Sequence, residues 1–442
     1  MFRHTSKYSL TGHSIASASM ETPMDHIPTS LLDLLSNDLV LRQTAPYLPV
    51  AALLALSGTN KSYRDLLRLH SEAWRHIDLS CVQSAIVDSS PIDVGGVSWR
   101  AERMDESLTE DDFYAGPLRG IFSKLNTRRV LTFVQTLILD GLSVPADLVR
   151  EIVAEDRYNV KMLSIRDAKN LNNTKLQQVL RYAVRPTRAE GTPKLKALYV
   201  FGRMDETTLL SKSQPPQRPP PQPPIGVLAS EGAQIGAQWN QMSTAKLNSA
   251  LPADDQERWY RSNGRVLKRQ QSEWADTLHA CKGIIAFDAV LCRGPRHDSA
   301  AIQDPAAYLP PALASVALGK GCETCGRSPE GHARFGQSPE TALPLLAPPP
   351  SHASTIRAAQ RPDTTDGTFP CLFLRCEDCL RGRWCERCNR WWCEDCYNEA
   401  VSRSQAADAS NSGGAPVKVY TKLCVEHCLV GEMMMSADGF WG

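Results

Sequence analysis

Cysteine is the residue whose placement in this chain has chemical meaning. There are fourteen, of which only Cys81, Cys281 and Cys292 precede residue 322. Cys322/Cys325, Cys376/Cys379, Cys385/Cys388 and Cys393/Cys396 are C-x-x-C pairs, and Cys424, His427 and Cys428 form a last cluster. Two thiolates two residues apart wrap one ion within a tight turn, and a second pair completes the tetrahedron that zinc favours. One such pair would be a weak signal; four within residues 322–396, followed by a Cys/His cluster, is a strong one. Redox dithiols share the spacing, but no thioredoxin-like context surrounds these pairs. With no apolar export segment at the N-terminus a reducing compartment is expected, where clustered cysteines bind metal rather than form disulfides.

The run C-x2-C-x5-C-x2-C-x4-C-x2-C is tight. Adjacent pairs would strain to share an ion, so alternate pairs are expected to meet. The preferred scheme joins Cys376/Cys379 to Cys393/Cys396, and Cys385/Cys388 to two of Cys424, His427 and Cys428. Cys322/Cys325 then need Cys371 or a histidine such as His332. Two zinc ions are expected, and the donor count allows three. A catalytic zinc keeps an open position and a nearby carboxylate base. Glu377, Asp378, Glu386, Glu394 and Asp395 sit inside the pairs, but acids are common on solvated turns, so structural zinc is the reading. Trp384, Trp391 and Trp392 are expected to form a small apolar shell around the metal; an exposed aromatic surface for a peptide is the alternative.

The elements that position this region read as a multidomain α+β chain. Residues 1–27 are a polar tail. Residues 31–80 have a helical pattern: Leu31, Leu35 and Leu39 repeat at i+4, Leu53, Leu54 and Leu56 follow Pro49, and Tyr63, Leu66 and Leu67 share a face. Residues 81–133 show no period and read as a connector. From 134 to 320 strand-like runs alternate with helical ones. Val134–Leu139, Val160–Ile165 and Leu195–Val200 are the strands; aligning Leu137 with Leu163 and Leu198 gives steps of 26 and 35 residues. Leu148, Val149, Ile152 and Val153 form one helical face, and Leu176, Val179, Leu180 and Ala183 another, with Asn172 or Asn173 as its cap. Strand plus helix at such a period is the mark of a leucine-rich-repeat-like solenoid. Gly283–Phe287 and Ala314–Leu318 read as its late repeats. Residues 211–224 are a proline-rich linker, since proline lacks the N–H that strands and helices need. Residues 322–442 are the cysteine-rich module, interrupted by an extended loop at 343–355.

Charge excludes more than it suggests. Lys plus Arg total 49 against 48 Asp plus Glu, which makes no case for nucleic acid or an anionic membrane held by bulk charge. Arg375, Arg381, Arg383, Arg387 and Arg390 make a local basic strip whose simplest reading is a solvated face. No apolar run is long enough to span a bilayer. Nucleotide-binding, metalloprotease and serine-hydrolase motifs are absent. A binding protein of the cytoplasm or nucleus, rather than an enzyme, is expected.

Residues 35–80 resemble the F-box. Tyr47-Leu48-Pro49, Leu53-Leu54-Ala55-Leu56 and Ala73-Trp74-Arg75-His76-Ile77-Asp78-Leu79 carry the likeness; Leu35-Ser36 replaces the family's opening Leu-Pro, and Pro46 falls inside its first helix. The resemblance implies a unit that binds a Skp-type adaptor, itself tied to a cullin scaffold, through Leu35, Leu39, Leu48, Pro49, Leu53, Leu54 and Trp74. The remainder of the chain would then present an unknown protein target. The tail, RCEDCLRGRWCERCNRWWCEDCY followed by LCVEHC, is similar to that of filamentous-fungal proteins described as ubiquitin-fusion-degradation or F-box proteins. A ligase of RING-like type and a zinc scaffold unrelated to ubiquitin are the competing expectations; the RING pattern's Cys-x-His step is missing.

Overall fold

The computed structural model describes residues 30–86, 110–202, 204, 272–300, 302, 305–318, 321–327, 333–334, 337–345, 349–351, 353–360, 371–397 and 418–429. The expected tail, the proline-rich linker and His332 lie outside these residues.

The N-terminal unit is helical because each turn of its sequence carries its own start signal. Helix α1 (Leu31–Ser36) opens on a capping box between Ser30 and Asp33. Asn37 then caps α2 (Asp38–Thr44) by accepting from Leu39 N. Pro46 sits in a 3-10 turn, Ala45–Tyr47, near the start of a helical segment where a missing N–H costs nothing. Helix α3 (Val50–Thr59) and helix α4 (Lys61–Leu69) follow, the second capped by the Asn60 side chain. Leu35, Leu41, Leu53, Leu67 and Trp74 are their shared interior, and the Trp74 indole donates to Leu67 O at 2.8 Å.

That unit runs straight into a sheet. Strand β1 (His76–Asp78) pairs with β2 (Thr136–Ile138), and β3 (Met162–Ser164), β4 (Ala197–Tyr199) and β5 (Ala286–Phe287) follow in chain order, every pair parallel. Parallel neighbours need crossovers. Helices α5 (Glu110–Thr127), α6 (Ala146–Ala154), α7 (Asn173–Ala183) and α8 (Ala275–Cys281) occur in turn between the strands. Leu137 opposes Leu163, and Leu163 opposes Leu198. With Ile77 and Phe287 they make one apolar row across the five strands, buried with Leu148, Leu176 and Leu278 of the helices. The other faces of the strands carry a second row, Thr136, Met162, Ala197 and Ala286. Asn172, not Asn173, caps α7.

Two sequence expectations are corrected here. The supposed connector 81–133 contains α5, an 18-residue helix that buries Ala115, Leu118, Phe122 and Leu125 on one stripe. Ala314–Leu318 is not a late repeat: β6 (Val316–Leu318) pairs antiparallel with β8 (Cys371–Arg375), which also pairs with β7 (Ala333–Arg334). It belongs to a separate three-stranded sheet in the cysteine-rich region. A hairpin of β9 (Val419–Tyr420) and β10 (Leu423–Cys424) completes that region. Among the described residues no helix is long and apolar enough to cross a membrane.

Candidate metal centres

Among the described residues, three groups of four donors come together: Cys292, His297, Cys376 and Cys379; Cys322, Cys325, Cys393 and Cys396; and Cys385, Cys388, Cys424 and Cys428. Within each group the donor atoms lie within 4.8 Å of one another. The Sγ–Sγ separations include 3.8 Å for Cys292–Cys379, 3.7 Å for Cys325–Cys393 and 3.7 Å for Cys388–Cys424. A tetrahedron with metal–sulfur bonds of about 2.3 Å sets its thiolates about 3.8 Å apart. A disulfide would need about 2.05 Å, and the thirteen cysteines with described side chains are all free. The geometry suits a metal ion in each group.

Local structure explains how each half is presented. Cys322–Cys325 and Cys385–Cys388 are matching turns. Gly326 N donates to Cys322 O at 2.7 Å and Asn389 N donates to Cys385 O at 2.9 Å. Cys322 N and Cys385 N close the same turns onto Arg327 O and Arg390 O. Both Gly326 (φ 66) and Asn389 (φ 57) are left-handed, a conformation that glycine and asparagine tolerate best. The other halves begin helical turns. Cys376 caps α9 (Glu377–Leu380), its Sγ accepting from Cys379 N at 3.3 Å, and Cys393 precedes the turn 394–397. In the first group Cys292 and His297 sit in the loop after β5. A side chain on Gly294 would fall 2.5 Å from Cys379 Sγ, so this loop must pass the second half with no Cβ.

His297 fixes its own tautomer. Its Nδ1 lies 2.7 Å from Pro310 O and 3.1 Å from Leu309 O, and its Nε2 faces Cys376 Sγ at 3.1 Å. Carbonyls only accept, so Nδ1 carries a proton and Nε2 is the nitrogen turned toward the sulfurs, open to an ion once its own proton is displaced. This is the arrangement that outer hydrogen bonds impose on a metal-ligating histidine.

The electrostatics ask for a cation. Hydrogen bonds from Cys376 and Cys379 hold the Cys292 thiol well below its ordinary range, and the interaction with Cys292 pushes Cys379 up. Burial opposes a charge on His297, but the Cys292 and Cys376 sulfurs outweigh it and raise its pKa to about 10. In the other groups burial raises the thiols while backbone N–H groups lower Cys322 and Cys385 to about 7. Close thiols left to themselves ionise in turn, whereas a divalent ion deprotonates a whole set. The Arg383 guanidinium, buried beside the first two groups, donates to Cys379 O, to Trp392 O at 2.9 Å and to Glu394 at 3.2 Å. Arg375 is also buried; desolvation lowers it to about 10 against the pull of Cys292 and Cys379.

The sequence reading is corrected on three points. Cys376/Cys379 meet Cys292/His297 and not Cys393/Cys396, which instead take Cys322/Cys325; the groups number three, the count the donors allowed beside the preferred two. Cys385/Cys388 do meet Cys424 and Cys428, while His427 stays outside the group. The expected basic strip is broken up, since Arg375 and Arg383 are interior and Arg381 pairs with Asp378. Trp384, Trp391 and Trp392 are buried in one cluster with Cys322, Cys385, Cys393 and Cys424. The C-x-x-C spacing gives no hint of Cys292-Arg-Gly-Pro-Arg-His297, whose one signal in the sequence is a cysteine and a histidine five residues apart.

Of the residues expected to meet a partner, Leu35, Leu53 and Trp74 are inside the helical unit and support it from within. Leu39, Leu48 and Pro49 are exposed and Leu54 is half-buried. A cavity of about 480 Å³ at the ends of β3 and β4 is remote from this chemistry. Its polar groups are engaged locally: Asp111 pairs with Lys175, Asp167 accepts from Met204 N, and Asn172 caps α7.

No protein-family profile, curated protein or solved structure matches the chain.

Proposed function

We propose that this chain is a non-catalytic substrate-recognition subunit of a cullin-based, SCF-type ubiquitin ligase in the cytoplasm or nucleus. In this reading the N-terminal helices are an F-box that binds a Skp-type adaptor, the parallel sheet is a short leucine-rich-repeat-like solenoid, and the sheet and cysteine-rich region present the target. The observation that carries it is the uncovered apolar surface of the helical unit. Leu31, Leu34, Leu39, Tyr47, Leu48 and Leu69 are exposed there at 39–80%. So many large apolar groups on one small unit suit a protein partner. The metal is zinc in a structural role: eleven thiolates and one imidazole in closed sets of four leave no open position for a substrate. The test is purification of the full chain with a Skp-type adaptor. A stable complex that brings down cullin supports the reading; failure to form one with an intact, metal-loaded chain defeats it.

The interleaving of the ligand pairs favours one second reading, a zinc-dependent ligase of RING-like type, because interleaved chelation builds a rigid platform. Ubiquitin chains formed with a conjugating enzyme in the absence of cullin would select it.

A further inference from the structure

The second and third groups each leave one sulfur open to solvent. Cys325 and Cys388 are exposed, whereas every other cysteine of the three groups is buried or half-buried. The two occupy the same place in the matching turns. The first cysteine of each turn, Cys322 or Cys385, is only 2% or 0% exposed, and its carbonyl accepts the turn's closing hydrogen bond. The last cysteine faces outward, just before the left-handed Gly326 or Asn389. In the first group Cys292, Cys376 and Cys379 are buried and His297 is half-buried, so none of its donors is exposed.

Each exposed sulfur has a buried one close by. Cys325 Sγ lies 3.7 Å from Cys393 Sγ, and Cys388 Sγ lies 3.7 Å from Cys424 Sγ. Both pairs join the two halves of a group rather than the two ends of a turn. The thiolate is the nucleophilic form of cysteine, and oxidation follows thiolate character and exposure. A bound zinc ion keeps its ligands deprotonated. Position in the turn adds the exposure.

We propose that Cys325 and Cys388 are redox-modification sites at which a hydroperoxide opens the second and third centres, while the first is spared. The exposed thiolate attacks one oxygen of hydrogen peroxide; the O–O bond breaks, leaving a sulfenic acid and hydroxide. Cys393 or Cys424, as its thiolate, then attacks the sulfenic sulfur. The S–O bond breaks, a disulfide forms and a second hydroxide leaves. Two thiolates are oxidised and one peroxide is reduced, and the group, left with two thiolates, no longer holds its ion. The consequence is local. Trp384, Trp391 and Trp392 pack with Cys322, Cys385, Cys393 and Cys424 in one core. Glu323 N donates to Trp391 O at 2.9 Å and Glu386 N to Lys422 O at 2.9 Å, which stitches each turn to the opposite half of its group. Oxidation loosens this core, whereas Cys376 and Cys379 belong to the main one. The inference rests on the zinc reading above and needs neither the adaptor nor ubiquitin.

The experiment uses the full-length, zinc-loaded chain, whose metal content is measured first. Absence of metal at that stage defeats the zinc reading itself and the inference with it. Hydrogen peroxide is then added beside a chromogenic zinc chelator, and release is compared with that caused by the chelator alone. Differential alkylation and mass spectrometry map the cysteines. The expected result is peroxide-dependent release of about two of the three ions. Disulfides Cys325–Cys393 and Cys388–Cys424 form, Cys292, Cys376 and Cys379 stay reduced, and dithiothreitol with added zinc restores the chain. Release of all three ions at one rate, or first oxidation at cysteines other than Cys325 and Cys388, overturns the proposal. Cys325→His and Cys388→His keep a nitrogen donor that cannot form a disulfide. Each is expected to slow release from its own group at least about tenfold. An unchanged rate in a variant that binds three ions overturns the inference. Should a variant fail to load, the order of oxidation in the unchanged chain decides.

Discussion

His297 Nε2 lies 3.1 Å from Cys376 Sγ although 79 positions of sequence separate them. One of these residues belongs to the loop that leaves the parallel sheet and the other begins the turn after β8. The contact therefore clasps the sheet to the cysteine-rich region. Cys376 and Cys379 belong to the main core, while the other two groups border a second one. The first group is the joint between them.

If each group holds zinc as proposed, His297→Ala is expected to lower the metal content from three ions per chain to two while the other groups keep theirs. Gly294→Ala should do the same from the opposite direction, because its methyl would sit 2.5 Å from Cys379 Sγ. Structural zinc is worth roughly 10–16 kcal/mol in small peptides. Loss of one ion should thus separate a single melting transition into two, with the cysteine-rich region melting first. Elemental analysis and calorimetry of the two variants check this; three ions retained in both would refute the clasp.

How much of this was readable beforehand follows from how local each signal is. The leucines at 137, 163 and 198 announced the register because parallel strands repeat one apolar position, and neighbouring residues supply it. The C-x-x-C pairs announced themselves for the same reason. The pairing of Cys385/Cys388 with Cys424 and Cys428 was legible, but that of Cys376/Cys379 was not, because it depends on where the sheet delivers Cys292 and His297. Helix α5 was hidden by Gly116, Pro117 and Gly120, which weaken helix propensity although the stripe from Ala115 to Leu125 is regular. β6 looked like a repeat strand because a buried strand reads alike whichever sheet takes it.

Asp140 and Arg166 form a pair, each with a side chain only 2% exposed. Asp140 accepts from Arg166 Nε at 2.9 Å, from Arg166 N at 2.8 Å and from Ser164 Oγ at 2.6 Å. Burial pushes the Asp140 pKa up, against Arg166 and those hydrogen bonds. Asp140→Asn removes the charge that offsets the buried guanidinium and should cost about 3–5 kcal/mol. Replacing the pair together by Leu and Met should cost much less, since apolar substitutes of similar volume avoid the desolvation penalty. Denaturant unfolding of the single and double variants measures the difference, and equal losses would contradict it.

His76 gives the sheet a sensitivity to acid. Burial lowers its pKa below 6.5, opposed by Asp78 and assisted by Arg75, and its Nδ1 has no hydrogen-bond partner among the described residues. The unfolded chain then takes up a proton before the folded one does. The contribution of neutral His76 is complete above about pH 6.5 and is lost as pH falls below it. His76→Gln should flatten this part of the stability profile relative to the unchanged chain at each pH between about 7 and 5. Identical slopes for the two proteins would show that His76 is not the titrating group.

The exposed and buried leucines of the helical unit separate recognition from folding. Leu39 is 71% exposed and Tyr47 is 73% exposed, whereas Leu53 is 1% exposed. Leu39→Asp with Tyr47→Ala should change stability by no more than about 0.5 kcal/mol per site, because neither side chain fills the interior. The same pair should abolish capture of a Skp-type adaptor. Leu53→Ala should cost about 2–5 kcal/mol by opening a cavity, and any loss of capture would follow the unfolding. Leu53→Asp is a poor probe of the interface for this reason: it would bury a carboxylate among Leu41, Leu67 and Trp74 and disrupt the unit itself. Thermal melts run beside adaptor pull-downs distinguish the two effects. Full capture by the Leu39/Tyr47 variant would move the interface off these helices, whatever Leu53 does.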